Sequence, residues 1–215
     1  MIHADLENYL LELSPLKDEL LVEMEKLAAD DHVPIIDRPS ISFIQQLLTI
    51  KGNVRRILEL GTAIGYSAIW LAEGAKSAII DTIERDELRV EQAKQFITRA
   101  GLDSRVHIHV ADATDYAEQL KDHKYDIIFI DAAKGQYQRF FESYTPLLAE
   151  DGVVLTDNVF FHGEVVNPDI QNKRIRTLVE KIKRYNVWLR EHDSFKTSFV
   201  PIGDGLAISV RRREE

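Results

Sequence analysis

Tyr125–Asp131 reads Y-D-I-I-F-I-D, and Gly152–Asn158 reads G-V-V-L-T-D-N. Both stretches are short, apolar and rich in β-branched residues, as is typical of strands that are buried on both faces of a parallel sheet. Each stretch ends in polar side chains, namely Asp131 in the first and Asp157 with Asn158 in the second. We therefore predict two strands of an α/β fold that carry these side chains to the same edge of one sheet.

The polar side chains at these strand ends are candidates for a metal site. Ligands of open α/β sheets bind outside the carboxyl ends of the strands. The carboxylates of Asp131 and Asp157 and the amide of Asn158 offer only oxygen ligands, which favour a hard cation such as Mg²⁺. Lys134 follows three residues after Asp131 and adds a positive charge or a base. The alternative is that the acids only cap the helices that follow them, which is common for aspartate after a strand.

The chain beyond residue 50 alternates between strand and helix patterns. Further strands are predicted at 56–60, 78–83, 106–110, 195–201 and 205–211, with helices at 65–73, 86–100, 137–148 and 170–190 and a short one near Thr114. Residues 202–205 read I-G-D-G, which is typical of a hairpin turn, so the last strand should run antiparallel. The prediction is an α/β fold with a seven-stranded, mostly parallel sheet, an antiparallel last strand and helices on both faces.

The length of 215 residues fits one domain, and no repeat or Pro/Gly-rich linker divides the chain. We predict a single domain over 1–215, with a helical N-terminal extension at 1–50 and a Rossmann-like core at 51–215. The segment 32–35, H-V-P-I, interrupts the N-terminal helices and could reach across a ligand site.

Composition excludes several classes of protein. The chain has no cysteine, which excludes disulfides, thiolate metal sites and cysteine nucleophiles. No stretch approaches the roughly 18 apolar residues of a membrane span. The first residues lack the basic start and apolar core of a signal peptide. We therefore expect a cytoplasmic protein without a membrane partner.

A glycine turn and two acids follow the first three predicted strands. The turn, G-T-A-I-G at 61–65, would allow close approach of a ligand to the backbone at a helix N-terminus. Its G-x-x-x-G spacing departs from the G-x-G-x-x-G fingerprint of dinucleotide sites. Glu84, after the second strand, could accept hydrogen bonds from ribose hydroxyls, and Asp112, after the third, from an adenine amino group. Taken alone, Glu84 is as easily explained as a helix cap.

The motifs E-L-G-T-A-I-G-Y-S at 59–67, D-A-A-K at 131–134 and T-D-N at 156–158 resemble those of the class I S-adenosylmethionine-dependent methyltransferases. They are similar to the magnesium-dependent O-methyltransferases of the catechol and caffeoyl-CoA type. The longer stretches D-A-A-K-G-Q-Y-Q, T-D-N-V-F-F and G-D-G-L-A-I-S most resemble the bacterial branch that methylates 5-hydroxyuridine in tRNA. The resemblance covers nearly the whole chain.

The resemblance implies a role for each matching residue. Lys134 would be the catalytic lysine, and Asp131, Asp157 and Asn158 would bind Mg²⁺. The residues around S-adenosylmethionine would be Ile35, Glu59, Gly61, Ser67, Glu84, Asp112, Ala113 and Asp131. We further expect a homodimer, although no pattern in the chain indicates an oligomeric state.

The implied chemistry leaves two substrates open. A bound cation would stabilise a substrate oxyanion and lower the pKa of its hydroxyl. Lys134 could act as the base or stay charged and stabilise the oxyanion. A substrate with two vicinal oxygens could chelate the cation, and both a catechol and 5-hydroxyuridine have such a pair.

Charge bears on the choice between these substrates. The net charge of −9 argues against extended contact with nucleic acid. However, the stretch 172–190 carries seven basic residues and one glutamate, and Arg211, Arg212 and Arg213 form a second basic cluster. Either cluster could hold phosphates around the anticodon loop of a tRNA, or be only a solvated face.

We therefore predict methylation of 5-hydroxyuridine at the tRNA wobble position, with a small catechol or hydroxycinnamoyl substrate as the alternative. A nicotinamide-dependent oxidoreductase is disfavoured by the glycine spacing and the paired acids. A non-catalytic binding module would leave Lys134 and the oxygen cluster without a role.

Overall fold

The computed structural model describes residues 4–13 and 16–213, which form seven α-helices and seven strands. The helices are α1 (Ala4–Leu13), α2 (Glu19–Asp30), α3 (Arg38–Lys51), α4 (Tyr66–Gly74), α5 (Glu87–Arg99), α6 (Tyr137–Tyr144) and α7 (Lys173–Glu191). The strands are β1 (Arg56–Leu60), β2 (Ile79–Glu84), β3 (Val106–Val110), β4 (Tyr125–Ile130), β5 (Leu148–Thr156), β6 (Phe195–Val200) and β7 (Leu206–Arg211). No described helix is long and apolar enough to cross a bilayer.

The seven strands form one sheet in the order β3-β2-β1-β4-β5-β7-β6. Strands β1 to β5 run parallel to one another, whereas β7 lies antiparallel between β5 and β6. The predicted α/β fold with a mostly parallel seven-stranded sheet and an antiparallel last strand is confirmed. The reversal follows from the short turn at 201–205, because so few residues can join only antiparallel neighbours.

The central strands are buried on both faces. In β4, Ile127 and Phe129 pack into the apolar core that α2 to α5 cover, whereas Ile128 and Ile130 pack into the core on the other face, under α6 and α7. This alternation explains why β4 reads as a continuous apolar run.

The N-terminal helices add to the first of these cores. Met24 of α2 and Ile41 and Ile44 of α3 are fully buried in the same cluster as Ile57 of β1. The boundary at residue 50 between an extension and a core stays a prediction.

Several predicted elements differ in extent: β5 begins at Leu148 rather than at Gly152, α7 begins at Lys173 rather than near residue 170, and two helices differ further. The helix predicted at 137–148 ends at Tyr144 and continues as a 3₁₀ turn, Thr145–Leu147. Pro146 lies in that turn, and its missing N–H group prevents the α-helical bonding pattern from continuing. The short helix predicted near Thr114 is a 3₁₀ turn at Ala117–Leu120, because Asp112 binds the main-chain N–H of Thr114 and holds a turn there.

Candidate active site

The sheet ladder continues one residue past β4 and β5 and brings two acids side by side. The main-chain N–H of Asp131 donates to the carbonyl of Leu60 at 3.0 Å, and that of Asp157 donates to the carbonyl of Ile130 at 3.1 Å. The backbones of Asp131 and Asp157 are thereby fixed at the carboxyl edge of adjacent parallel strands. This is the edge at which ligands bind in open α/β sheets.

Lys134 and Asn158 complete this arrangement. Lys134 begins a 3₁₀ turn, Lys134–Gln136, and its Nζ contacts the Oδ1 of Asn158. Asn158 has a φ of 55°, in the left-handed region that asparagine tolerates better than most residues. Its Nδ2 donates to Oδ2 of Asp157 at 3.3 Å. The lysine, the amide and one carboxylate therefore form a connected polar chain.

The two carboxyl groups lie in an environment that disfavours their charge. Asp157 is only 1% exposed, and its Oδ1 is buried without a hydrogen-bond partner in the part of the chain that the structure describes. Burial and the neighbouring charge of Asp131 raise the pKa of Asp157 well above its usual value. Burial also raises the pKa of Asp131 to about 7, although the charge of Lys134 opposes the shift. A bound cation would relieve both effects.

These residues fit a divalent cation. The Oδ1 of Asp157, which has no hydrogen-bond partner among the described residues, is free to bind a cation, and all the ligand atoms in the predicted set are oxygens, as Mg²⁺ prefers. The Oδ1 of Asn158 has two lone pairs, so it can accept from Lys134 and still bind a metal. Within residues 4–13 and 16–213, no three His, Asp or Glu side chains converge on a metal site. The role of Asn158 as a third ligand stays a prediction.

The glycine turn lies against Asp131. Gly61 has a φ of 101°, and a Cβ at this position would overlap the main-chain carbonyl oxygen of Asp131. Only glycine fits here, for reasons of both conformation and space. Gly65 caps α4 in a left-handed conformation, and Ser67 is buried in the first turn of that helix. The turn and the acid edge thus form one continuous surface.

Glu84 supports the glycine turn. Its carboxylate accepts from the main-chain N–H groups of Ala63, Arg85 and Asp86, each at 2.9 Å. Glu84 is not the cap of α5, because the N-cap residue is Asp86, whose side chain accepts from Leu88 and Arg89; Glu84 instead holds the glycine turn and the two residues before the helix. Its two oxygens offer about four lone-pair sites, so capacity remains for a ribose hydroxyl.

Asp112 and Ala113 follow β3 at the same edge. The Oδ1 of Asp112 accepts from the N–H and the hydroxyl of Thr114 at 2.9 and 2.8 Å, and these bonds lower the pKa of Asp112. The carbonyl of Ala113 accepts from the hydroxyl of Tyr144 at 2.7 Å. These contacts fix the backbone of the third strand end.

Glu59 lies beneath the turn rather than on it. Its side chain is fully buried, and its Oε2 accepts from the hydroxyl of Thr82 at 2.5 Å. Burial raises the pKa of Glu59 to about 7. Ile35 is half-buried against the core between α2 and α3. The cofactor contacts of both residues stay predictions, as do the other site roles.

Two acids near the site did not emerge from the sequence. The charge of Asp37 raises the pKa of both Asp131 and Asp157, and the side chain of Asp37 packs against Gly203. Next to Gly203, Asp204 accepts from the main-chain N–H of His162. Asp37 reads only as a cap before the proline of α3, so the sequence carried no signal for it. The G-D-G motif at 203–205 was the available signal for Asp204.

The basic cluster at 172–190 lies mainly on α7. Its side chains differ in their partners, since the Nζ of Lys183 is 3.3 Å from Glu180 and a guanidinium nitrogen of Arg190 is 2.5 Å from Glu191. In the second cluster, Arg211 donates to the carbonyl of Thr145 at 2.8 Å and stabilises the fold. Contact of either cluster with RNA stays a prediction.

Comparison with known proteins assigns the chain to a family. The sequence profile of a family described as O-methyltransferase matches residues 11–213. A catechol O-methyltransferase from Niastella koreensis is 29% identical over 219 residues, covering 97% of this chain and 97% of that protein.

Solved structures agree. A Staphylococcus aureus protein, provisionally named a caffeoyl-CoA O-methyltransferase, superposes with a TM-score of 0.90 at 39% identity, over 95% of this chain and 98% of its own. An O-methyltransferase from Bacillus cereus in complex with SAH superposes with a TM-score of 0.84 at 29% identity, over 97% of each chain. The predicted Rossmann-like methyltransferase fold is confirmed, and the chain belongs to the O-methyltransferase family.

Proposed function

We propose that this O-methyltransferase uses S-adenosylmethionine and Mg²⁺ to methylate the 5-hydroxyl of 5-hydroxyuridine at the wobble position of tRNA, giving 5-methoxyuridine. The observation that carries the proposal is the meeting of three sequence stretches. Lys134 of D-A-A-K-G-Q-Y-Q contacts Asn158 of T-D-N-V-F-F, and Phe160 of that stretch packs on Gly205 of G-D-G-L-A-I-S. These stretches carry the resemblance to the tRNA-modifying branch.

The glycine turn and the acids beside it support S-adenosylmethionine as the methyl donor. The Bacillus cereus relative was solved with SAH, the product of that donor. Gly61 lets the glycine turn pack directly on the backbone of Asp131, while Glu84 and Asp112 offer acceptors at successive strand ends. The donor would supply an electrophilic methyl group for in-line displacement.

Asp131, Asp157 and Asn158 are the residues that would hold Mg²⁺. The cation would lower the pKa of the substrate hydroxyl and stabilise its oxyanion. Lys134 is placed to take the hydroxyl proton on Nζ or to remain charged beside the oxyanion, and its contact with Asn158 keeps that Nζ at the strand edge.

A small catechol is the second candidate, because the Niastella koreensis relative carries that name. Both substrates have vicinal oxygens, so the chemistry of the site does not separate them. They differ in phosphate, which RNA has and a free catechol lacks. The basic residues of α7 that have no carboxylate partner among the described residues, such as Lys173, Arg174 and Arg176, favour RNA.

The decisive experiment offers both substrates. The protein is incubated with labelled S-adenosylmethionine, Mg²⁺ and either tRNA that carries 5-hydroxyuridine but no 5-methoxyuridine, or a catechol. Labelled products are identified by chromatography. We expect label in 5-methoxyuridine, with activity that falls as salt rises. Methylation of the catechol alone would establish the second candidate.

Charge reversal tests the RNA contact. Changing Lys173, Arg174 and Arg176 to glutamate should raise the Michaelis constant for tRNA and leave cofactor affinity unchanged. The matched control reverses Lys94, Lys121 and Lys183, each of which pairs with a glutamate three residues earlier. Equal effects of the two triple variants would show that net charge, rather than a local RNA contact, sets the affinity.

A further inference from the structure

Lys181 of α7 lies over the turn that carries the proposed catalytic lysine. Its Nζ is 3.5 Å from the position that a Cβ on Gly135 would occupy, and Leu178 lies 3.9 Å from the same point. Gly135 immediately follows Lys134, whose own Nζ contacts Asn158. Two lysines from distant parts of the chain are therefore brought to one turn at the edge of the site.

Lys181 is exposed and has no counterion among the described residues. In the part of the chain that the structure describes, no carboxylate oxygen lies within 4 Å of its Nζ, whereas Lys183 pairs with Glu180 at 3.3 Å. Helical spacing explains the difference: residues 174, 178 and 181 share one side of α7, and residue 183 lies on the opposite side. The side that faces the turn therefore carries Arg174 and Lys181 about two helical turns apart.

The ammonium group of Lys181 is available to bind an anion, because it is exposed and no carboxylate among the described residues neutralises it. An RNA substrate would bring a phosphodiester to the site together with its base, and lysine binds phosphate as a flexible point charge. Because Gly135 has no side chain, the space beside Nζ is open to such a group.

We infer that Lys181 binds a phosphate next to the reacting nucleotide and thereby selects a phosphate-bearing RNA over a free catechol or nucleoside. The inference rests on the proposed function and assigns the substrate-positioning contact within it. Lys181 acts on binding, whereas Lys134 acts at the reacting oxygen.

The test compares Lys181→Met, which keeps the packed stem and removes the charge, with Lys181→Arg, which restores the charge. Lys183→Met is the matched control because it removes one charge from the opposite side of the same helix. The substrates are an anticodon stem-loop containing 5-hydroxyuridine, and the free nucleoside 5-hydroxyuridine. For Lys181→Met we expect the Michaelis constant for the stem-loop to rise about tenfold with kcat unchanged. The slope of the logarithm of stem-loop affinity against the logarithm of salt concentration should also become less steep by about 0.7.

The nucleoside should react equally well with Lys181→Met and the unmodified protein, and Lys181→Arg should restore stem-loop binding. An equal loss on both substrates would overturn the inference, because it would mean that Lys181 acts by holding Lys134. An unaltered Michaelis constant for the stem-loop, or the same change in Lys183→Met, would also overturn it. If the unmodified protein leaves the stem-loop unmethylated, the proposed function itself fails. If Lys181→Met raises the Michaelis constant for a hydroxycinnamoyl coenzyme A thioester but not for the stem-loop, Lys181 binds a phosphate of that thioester. RNA would then be rejected as its ligand.

Discussion

The hydroxyl of Tyr137 donates a 2.8 Å hydrogen bond to the main-chain carbonyl of Asp157. Tyr137 begins α6, directly after the 3₁₀ turn that starts with Lys134, and its side chain is only 1% exposed. The bond therefore ties the segment that carries the lysine to the segment that carries Asp157 and Asn158. The relative position of these groups depends on it.

Tyr137→Phe should reduce turnover more than stability explains. Loss of one buried hydrogen bond should lower the free energy of unfolding by about 1 kcal/mol. Turnover should fall severalfold with unchanged cofactor affinity, because Lys134 and Asn158 are no longer held in register. Tyr185→Phe is the control, since its hydroxyl bonds Thr156 at 2.9 Å in the same core. Denaturant unfolding measures the stability of both variants, and steady-state kinetics measures their turnover. An equal loss of turnover in the two variants would contradict this role.

Asp157→Ala should separate metal dependence from cofactor binding. The variant removes a proposed metal ligand, so turnover should fall about a hundredfold or more and added Mg²⁺ should not restore it. Affinity for S-adenosylmethionine, measured by calorimetry, should stay within severalfold, because Glu84 and Asp112 follow other strands. Asp151→Ala, at the exposed start of the same strand, should leave turnover unchanged. Full activity of the unmodified protein in a chelator would rule out the metal assignment.

Gly61→Ala should be far more damaging than Gly52→Ala. Both glycines have positive φ, at 101° and 62°, so both substitutions carry the conformational cost of a side chain at positive φ, at least about 1 kcal/mol. Only at Gly61 does the added Cβ overlap the carbonyl of Asp131, whereas nothing lies within 4 Å of it at Gly52. We expect several kcal/mol of lost stability and no measurable cofactor binding at Gly61. Equal unfolding free energies for the two variants would show that the turn can move away from Asp131.

The central strands could be predicted from sequence because burial on both faces leaves a continuous apolar run. The run ending at Ile130 shows this directly, and Asp131 falls at the predicted strand end. The antiparallel last strand also followed from local sequence, since the turn at 202–205 is short and rich in glycine.

Contacts between distant segments could not be predicted in the same way. Asp37 acts on Asp131 and Asp157 from a distant part of the chain, where the start of α3 packs on the turn at 203–205. Lys181 lies near Gly135 because that side of α7 faces the turn at Lys134–Gln136. The periodicity or spacing of residues within one stretch does not indicate which distant stretch will pack against it. Pro146, by contrast, was a local signal that should have shortened the predicted helix.

Glu84→Ala should weaken cofactor binding and also loosen the turn. Loss of ribose hydrogen bonds, at about 1 kcal/mol or more each, predicts a dissociation constant at least about tenfold higher by calorimetry. Asp86→Ala is the control because Asp86 caps α5 by accepting from Leu88 and Arg89 but follows Glu84 on the helix side. That variant should lose similar stability and keep its affinity. If Glu84→Ala loses stability but keeps an unchanged dissociation constant, Glu84 only holds the turns around it.

Glu59→Gln should flatten the pH dependence of stability. Burial raises the pKa of Glu59 to about 7, above the value of a free glutamate. The folded state therefore binds a proton that the unfolded state releases earlier, so this contribution to stability is full below about pH 4.3 and is lost as the pH rises through 7. Between about pH 5 and pH 8, the free energy of unfolding of the unmodified protein should fall by up to a few kcal/mol more than that of Glu59→Gln. Unfolding by urea at each pH measures the difference. Glu73→Gln, an exposed glutamate on α4, should follow the unmodified protein throughout. Parallel curves for Glu59→Gln and the unmodified protein would mean that Glu59 stays ionised in the folded state and is neutralised by a partner.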